Sequence, residues 1–319
     1  MAVTYSGSRP APWLAKAVNQ FVPNADSYTA FKIAKTIVGP EKGTLPVIPR
    51  ETTAANGETT RRAPGAAYQR DGLAAEGIPF QVVGYGREVP VPEEDIAIYG
   101  GIMNAMKVAA GKIKTAAFTD LEVRMRDMIM NTTTWTGASL YTDNSAAPWD
   151  TAGSDIIGHI VAAKDKVRQG TGMLPNSLIV DYSQWQNIIY TNTAIKGLLS
   201  GLAVPTPDAI LTVVKNLFEL DQIIVAGAVK NSAKEGQTAS MGNVYSDDYA
   251  MVATVATGTD PSEPCVARTI QSRAMGPGTD MSTYIYDEPQ TKSKVVQGDV
   301  YLDEIVVDAA FGHLMKVDA

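Results

Sequence analysis

The sequence predicts an α+β protein built from four consecutive parts: an irregular N-terminal arm, a long two-stranded excursion, one long helix, and a mixed sheet-and-helix region ending in β-strands. Three observations carry this. Residues 39–92 hold eight Gly and seven Pro in 54 positions, with strand-like pieces at either end. From Pro92 to about residue 130, apolar residues recur at steps of three or four, the period of one helix face. After Trp135, short β-branched runs alternate with helix-patterned segments.

Composition bounds the rest. A chain of 319 residues and 34.0 kDa is one large domain or two ordinary ones. An apolar content of 45% excludes wholesale disorder. Charged residues make up only 19%, below the usual quarter, which suits a protein that buries much of its surface against something. One cysteine, Cys265, excludes an intrachain disulfide and multi-cysteine metal sites. A net charge of −7 argues against a reader of nucleic acid that relies on phosphate contacts. No apolar stretch approaches the roughly 18 residues of a membrane span; the longest, Ile223 to Val229, is strand-length. The start, MAVTYSGSRPAPW, lacks the basic and apolar regions of a signal peptide, so synthesis in the cytoplasm is expected.

Residues 1–35 read as the arm. Pro10, Pro12 and Pro23 interrupt it, and only Trp13 to Phe21 has helical spacing, through Trp13, Leu14, Ala17, Val18 and Phe21. So short a stripe must dock on something larger, on this subunit or a neighbour; Trp13 and Phe21 are candidate intersubunit contacts. Residues 36–92 form the excursion, with strands expected at Thr44–Ile48 and Phe80–Pro90 around the polar stretch ETTAANGETTRRAPG. An isolated hairpin is marginal in water, so this segment makes sense lying along another molecule. Arg61 and Arg62, in its polar loop, are the second pair of candidate contacts, reaching acidic groups on a neighbour.

The long helix is expected to start at Pro92, with Glu93, Glu94 and Asp95 complementing the helix dipole. Tyr99, Met103, Met106, Ala110, Ile113, Ala117, Leu121, Met125 and Met128 form its apolar face. Gly100, Gly101 and Gly111 allow a bend or a late start, and Thr119 to Glu122 fits a capping box, which leaves two helices as the alternative. Further on, Ser154 or Asp155 caps a helix running to about Gln169 with Gly170 past its end, Ser177–Val180 is a buried strand, Asp181 or Ser183 opens a helix with Trp185, and Thr206–Pro207 opens another. Strands are expected at Gln222–Val229, Tyr249–Val255, Cys265–Ile270, Met281–Tyr286, Val300–Val307 and Leu314–Val317.

The search for chemistry returns almost nothing. No phosphate loop, dinucleotide turn or nucleophile elbow is present. His159 and His313 are far apart and read as core or surface histidines, so a hydrolase triad is not expected. Cys265 reads as a small buried hydrophobe. Glu93–Asp95 belongs to the helix start, Asp247–Asp248 to a turn, and Asp303–Glu304 to an alternating strand. No catalytic residue, metal site or cofactor is expected.

Several stretches together resemble a known family. QVVGYGREVPVPEED at 81–95 is similar to a return strand entering a spine helix. Residues 154–188 hold a helix, the turn Thr171-Gly172-Met173-Leu174-Pro175-Asn176, a strand, and a helix with Trp185. LDQIIVAGAVKNSAKEG at 220–236 and the ending VVDAAFGHLMKV complete the order. The chain resembles the major capsid protein of tailed bacteriophages, whose fold is named after a Hong Kong phage isolate. The resemblance implies an N-terminal arm at 1–35, an extended β-hairpin loop at 36–92, a peripheral domain with the spine helix at 93–134 and 265–297, and an axial domain at 135–264 and 298–319. It implies a non-enzymatic shell protein that forms pentamers and hexamers in an icosahedral capsid around double-stranded DNA. Its partners would be itself, a portal, a decoration protein, and packaged DNA touched non-specifically, with no membrane. Because the sequence runs from Met1 straight into the arm, a separate scaffolding protein is expected. The product would reside in the virion after assembly in the bacterial cytoplasm. The rival readings are an encapsulin-like nanocompartment enclosing an enzyme, separated by particle content, and an α+β hydrolase with an unrecognised carboxylate site.

Overall fold

The computed structural model describes residues 9–10, 28–47, 61–68, 76–98, 102–201, 206–234, 236–272 and 281–318. The first elements are β1 (Arg9–Pro10), α1 (Ala30–Ile33), β2 (Lys35–Gly39), β3 (Lys42–Val47), β4 (Glu76–Gln81), β5 (Val83–Pro92), α2 (Glu93–Ile98) and α3 (Ile102–Ile129). The mixed region follows with β6 (Tyr141–Asp143), α4 (Ile156–Thr171), β7 (Ser177–Asp181), α5 (Tyr182–Gln186), a π turn at Asn187–Thr191, α6 (Thr193–Leu199), α7 (Pro207–Phe218), β8 (Gln222–Ala226), β9 (Val229–Asn231), β10 (Met241–Asn243) and β11 (Tyr249–Ala253). The chain closes with β12 (Ala267–Ser272), β13 (Ser282–Glu288), β14 (Ser293–Val306) and β15 (Gly312–Lys316).

Two sheets organise these elements. In the first, β14 pairs antiparallel with β5 along one edge, and with β13 and then β12 along the other; β1 extends β13, and β2 runs parallel to β12. Helix α3 lies across one face of this sheet. Met106, Ala110, Ile113, Leu121 and Met125 are all buried there with Val296, Val300 and Leu302. The approach is close enough that a Cβ at Gly298 would sit 2.8 Å from Ile113 Cγ2 and 2.7 Å from Met281 Sδ, so only glycine fits.

The second sheet has the order β6-β15-β11-β7-β8. Its middle strands are covered on both faces. Leu178 and Val180 of β7 face a cluster with Trp149, Ile156, Ile160 and Phe218, while Ile179 faces the main core with Met251 and Leu314. Such two-sided burial explains why these strands read as continuous apolar runs instead of alternating ones.

Caps hold the helices. Asp155 accepts from Gly158 N, Asp181 from Ser183 N, and Thr206 from Ala209 N. Lys164 Nζ donates to the Phe218 carbonyl at 2.8 Å and to Glu219 Oε2 at 2.9 Å, closing the C-terminus of α7.

Several expectations need correction. Thr119–Glu122 is no capping box, because α3 runs through it: Thr119 Oγ1 donates to the Thr115 carbonyl and Glu122 turns inward. Gly170 remains helical, and Gly172, with φ 75°, is the left-handed cap of α4. The stretch expected as one strand from Phe80 divides between β4 and β5, which serve different sheets. Strand β14 begins at Ser293, seven residues before the expected Val300. Cys265 precedes β12 instead of lying in it, and it is fully buried. At the end of the segment read as an arm, Ala30, Ile33 and Ala34 lie in the main core.

Candidate functional site

The extended segment is built on a small hydrophobic platform. Strands β3 and β4 pair antiparallel from Lys42↔Gln81 to Val47↔Glu76. Pro46 and Pro79 sit within them, which an isolated two-stranded pair tolerates and a central strand does not. Of their side chains only Leu45 and Phe80 are buried; they pack on Ile37 and Ile270 of the first sheet, with Ile305 and Val307 beside them. The base is fixed by two main-chain bonds, Gln81 N to Asp303 Oδ2 at 2.9 Å and Val82 N to the Glu41 carbonyl at 2.8 Å. Burial first, and Glu304 after it, raise the Asp303 carboxyl above its ordinary value, against the Gln81 bond.

The candidate contacts fall as follows. Trp13 and Phe21 lie outside the described residues. Arg61 and Arg62 are exposed in the segment 61–68. Arg62 Nη1 donates to the Ala66 carbonyl at 3.0 Å, and its guanidinium stacks 4.1 Å from the centre of the Tyr68 ring, itself 78% exposed. These contacts fold the segment on itself.

The face toward α3 carries a group that local sequence does not advertise. Arg124 Nε and Nη2 bond the two carboxylate oxygens of Glu304 at 3.1 and 2.9 Å, Nη1 contacts Asp120, and the guanidinium lies 3.6 Å from the centre of the Tyr85 ring. This locks α3 to β14 and β5 at once. Burial works against the Arg124 charge, but the Glu304 bonds outweigh it and hold the guanidinium above its ordinary value.

Glu122 forms the second such link. It accepts from Ala30 N at 2.7 Å, from Thr29 Oγ1 at 3.2 Å, and from Thr29 N, so a residue of α3 caps α1, 92 positions away. Burial raises its carboxyl, partly offset by these bonds. The fully buried Tyr245 hydroxyl has no hydrogen bond of ordinary geometry; burial and then the Glu122 charge hold it well above its usual value.

The two histidines are held in hydrogen bonds within the fold. His313 is buried, with Nδ1 donating to the Ser139 carbonyl and Nε2 accepting from Thr142 Oγ1, and burial lowers its pKa. His159 Nδ1 accepts from Trp149 Nε1 at 3.1 Å. A hydrolytic triad needs a carboxylate behind the imidazole and an open nucleophile in front; neither histidine is so placed. The carboxylates of Asp247, Asp248 and Asp318 come within 4.8 Å of one another, in an exposed to half-buried corner. Among the described residues no helix is long and apolar enough to cross a membrane.

No protein-family model matches the chain, and no curated protein sequence matches it either. Solved structures do. A phage-related protein of Bordetella bronchiseptica RB50 aligns over 98% of both chains with a TM-score of 0.73 at 18% identity. A chain from Mycobacterium phage Adephagia aligns over 92% of this chain and 91% of its own, with a TM-score of 0.55 at 12% identity. The capsid structure of cyanophage P-SCSP1u aligns over 90% of this chain and 86% of its own, with a TM-score of 0.53 at 11% identity. With two sheets joined by one long helix and a hairpin set out from the body, this chain has the phage major capsid fold.

Proposed function

We propose that the chain is the major capsid protein of a tailed-phage head, a non-enzymatic subunit that assembles as pentamers and hexamers into an icosahedral shell around double-stranded DNA. One observation carries the reading beyond the fold: in the β3–β4 pair only Leu45 and Phe80 are buried, and the pair leads out to a polar, exposed segment at 61–68. Chain that does little for one subunit is useful lying on another. In this reading residues 1–35 are an arm, 36–92 the extended loop, 93–134 and 265–297 the peripheral domain, and 135–264 and 298–319 the axial domain. Trp13, Phe21, Arg61 and Arg62 are intersubunit contacts. Each contact can be weak, because detaching a subunit from a closed shell breaks several at once. A separate scaffolding protein, a portal and a decoration protein are its partners, and the virion is its final location.

Electron microscopy and gel filtration of the purified protein, alone and with its neighbouring gene products, test this. Capsomers or closed shells are expected, and particles from infected or induced cells should contain DNA. A monomer that never assembles removes the reading, and particles filled with an enzyme turn it into a nanocompartment.

A further inference from the structure

The chain has two histidines, and their hydrogen bonds are of opposite kinds. At His313, Nδ1 lies 3.0 Å from the Ser139 carbonyl, which can only accept, so the proton of the neutral ring sits on Nδ1. Nε2 then accepts from Thr142 Oγ1 at 2.9 Å. A hydroxyl both donates and accepts, so Thr142 can turn its hydrogen away and keep the contact when Nε2 gains a proton. The partner of His159 has no such freedom. Trp149 Nε1 lies 3.1 Å from His159 Nδ1, and an indole N–H only donates. Nδ1 is therefore bare, and the neutral ring carries its proton on Nε2. In the imidazolium both nitrogens carry protons, one N–H would face another, and the bond to Trp149 is lost.

That bond anchors the segment 144–155, which leads from β6 to α4. Trp149 is its one buried apolar side chain, 0% exposed and packed with Ile156, Ile160 and Phe218. Main-chain bonds hold the segment at its margins: Asn144 N to the Lys316 carbonyl and Trp149 N to the Val317 carbonyl, each at 2.9 Å, and Thr193 N to the Ala152 carbonyl at 2.9 Å. A second partner for the imidazole stands one turn before it. Asp155, the N-cap of α4, accepts from Gly158 N through Oδ1 at 2.9 Å, and its Oδ2 has no hydrogen-bond partner among the described residues. A Cβ at Gly158 would lie 2.2 Å from that Oδ2, so glycine lets the carboxylate rest over the first turn beside His159. Burial disfavours the charged ring, and the Asp155 charge opposes this more weakly. Neither Asp150, on the segment of Trp149, nor Lys316 and Asp318, at the end of β15, shifts the ring.

We propose that His159 is a pH-operated latch on residues 144–155: the neutral ring holds Trp149, and the imidazolium releases it and turns to the free oxygen of Asp155. Residues four apart on a helix are neighbours, so the ring needs only a rotamer change to reach Asp155. Release leaves the Trp149 N–H buried and unpaired, which is unfavourable and loosens the segment. His313 keeps both its contacts on protonation and is no latch. The latch lies within one subunit and operates whether or not the chain forms a shell. Burial lowers the His159 pKa from the ordinary 6.5, so its contribution is full above that value and is lost as pH falls through the folded one.

Nitrogen NMR of the full chain, with only its histidines labelled, reads the resting state. At about pH 8, where both rings are neutral, one ring should be protonated on Nε2 and the other on Nδ1. The Nε2–H signals should be the ones missing from His159→Gln. Two rings of the same tautomer overturn the latch, and so does loss of the Nδ1–H signals in that variant. Tryptophan emission reads the release. As pH falls from about 7 to about 4, the emission of the wild type should move to the red, because Trp149 leaves its buried place. Trp149→Phe should remove this shift. His159→Gln should remove it too, because the amide oxygen still accepts from the indole and does not titrate. A glutamine variant that shifts over the same range as the wild type overturns the latch, as does a wild type that shows no shift.

Discussion

The α3 seam and the β3–β4 hairpin meet the same requirement, that a strand pair needs a covered face, with opposite means. At the seam a 28-residue helix covers the sheet along β14, closely enough to require glycine at 298, and Arg124 ties helix to sheet by ion pair and ring stacking. The hairpin buries only Leu45 and Phe80, with Val47 and Ile78 partly buried beside them. The first region is stable within one subunit. The second is packed on the body through the cluster around Leu45 and Phe80. Stability and assembly should therefore separate between the two regions, and the following changes probe that separation, beginning with the largest effect on the subunit.

Leu121→Asp places a carboxyl at a position 2% exposed, between α3 and the sheet. Lost burial costs about 2–5 kcal/mol, and desolvation of the new carboxyl adds more. The expected result is insoluble or unfolded protein, read as loss of a cooperative circular-dichroism melt. A soluble variant with a normal melt would mean that the seam is not the core of the subunit.

Arg124→Ala leaves Glu304 nearly buried and without its cation. A loss of about 2–4 kcal/mol is expected, because breaking one partner of a buried pair exposes the full desolvation cost of the other. The change should appear in urea denaturation as a lower midpoint. Glu304→Gln should cost less, since the amide oxygen still accepts from Arg124.

This group also shows what the sequence could and could not disclose. The helix stripe was readable because its period is local: Met106, Ala110, Ile113, Leu121 and Met125 are all buried as that period requires. The order of elements was readable for the same reason. Arg124 and Glu304 stand 180 positions apart, and nothing near either one marks the other. Glu122 was misread because the spacing of a capping box also fits a helix interior, and only the fold brings Thr29 to it. The division at Val82 was invisible because the strand pattern runs through it without a turn residue. Strand β14 was read short because Gly298 and its charged neighbours look like loop, whereas the glycine is there to admit α3.

Glu122 gives a smaller effect with a definite pH signature. Burial raises its folded pKa above the ordinary 4.5, so the folded state holds the proton more tightly than the unfolded chain. Its contribution is therefore fully present below the unfolded value and is lost as pH rises through the folded one. Glu122→Gln cannot titrate. The stability difference, wild type minus variant, should fall as pH increases from about 4.5 toward neutrality. Melts of both proteins across that range check this, and a difference that is flat or rises with pH contradicts the assignment.

The smallest effect on the subunit should come from the largest change in sequence. Deleting residues 53–63 removes Arg61 and Arg62 with the polar stretch before them, while Leu45, Phe80, Ile37 and Ile270 keep the hairpin base on its platform. Closing a shorter loop changes the entropy only slowly with length, by about 0.6 kcal/mol per halving, and in the favourable direction. The thermal melt of the dissociated subunit should therefore shift little. Assembly should respond in the opposite way. An exposed ion pair is worth only about 0–1 kcal/mol, yet the contact recurs at every interface of a shell, so particle yield and survival on heating should fall sharply. Changing Arg61 and Arg62 to Glu should do the same more mildly, and more strongly at low salt, where charges are least screened. If the deletion unfolds the subunit, the segment belongs to its core and the contrast between the regions disappears. If particles form and survive heating as before, the hairpin's outer part is not what holds neighbouring subunits together.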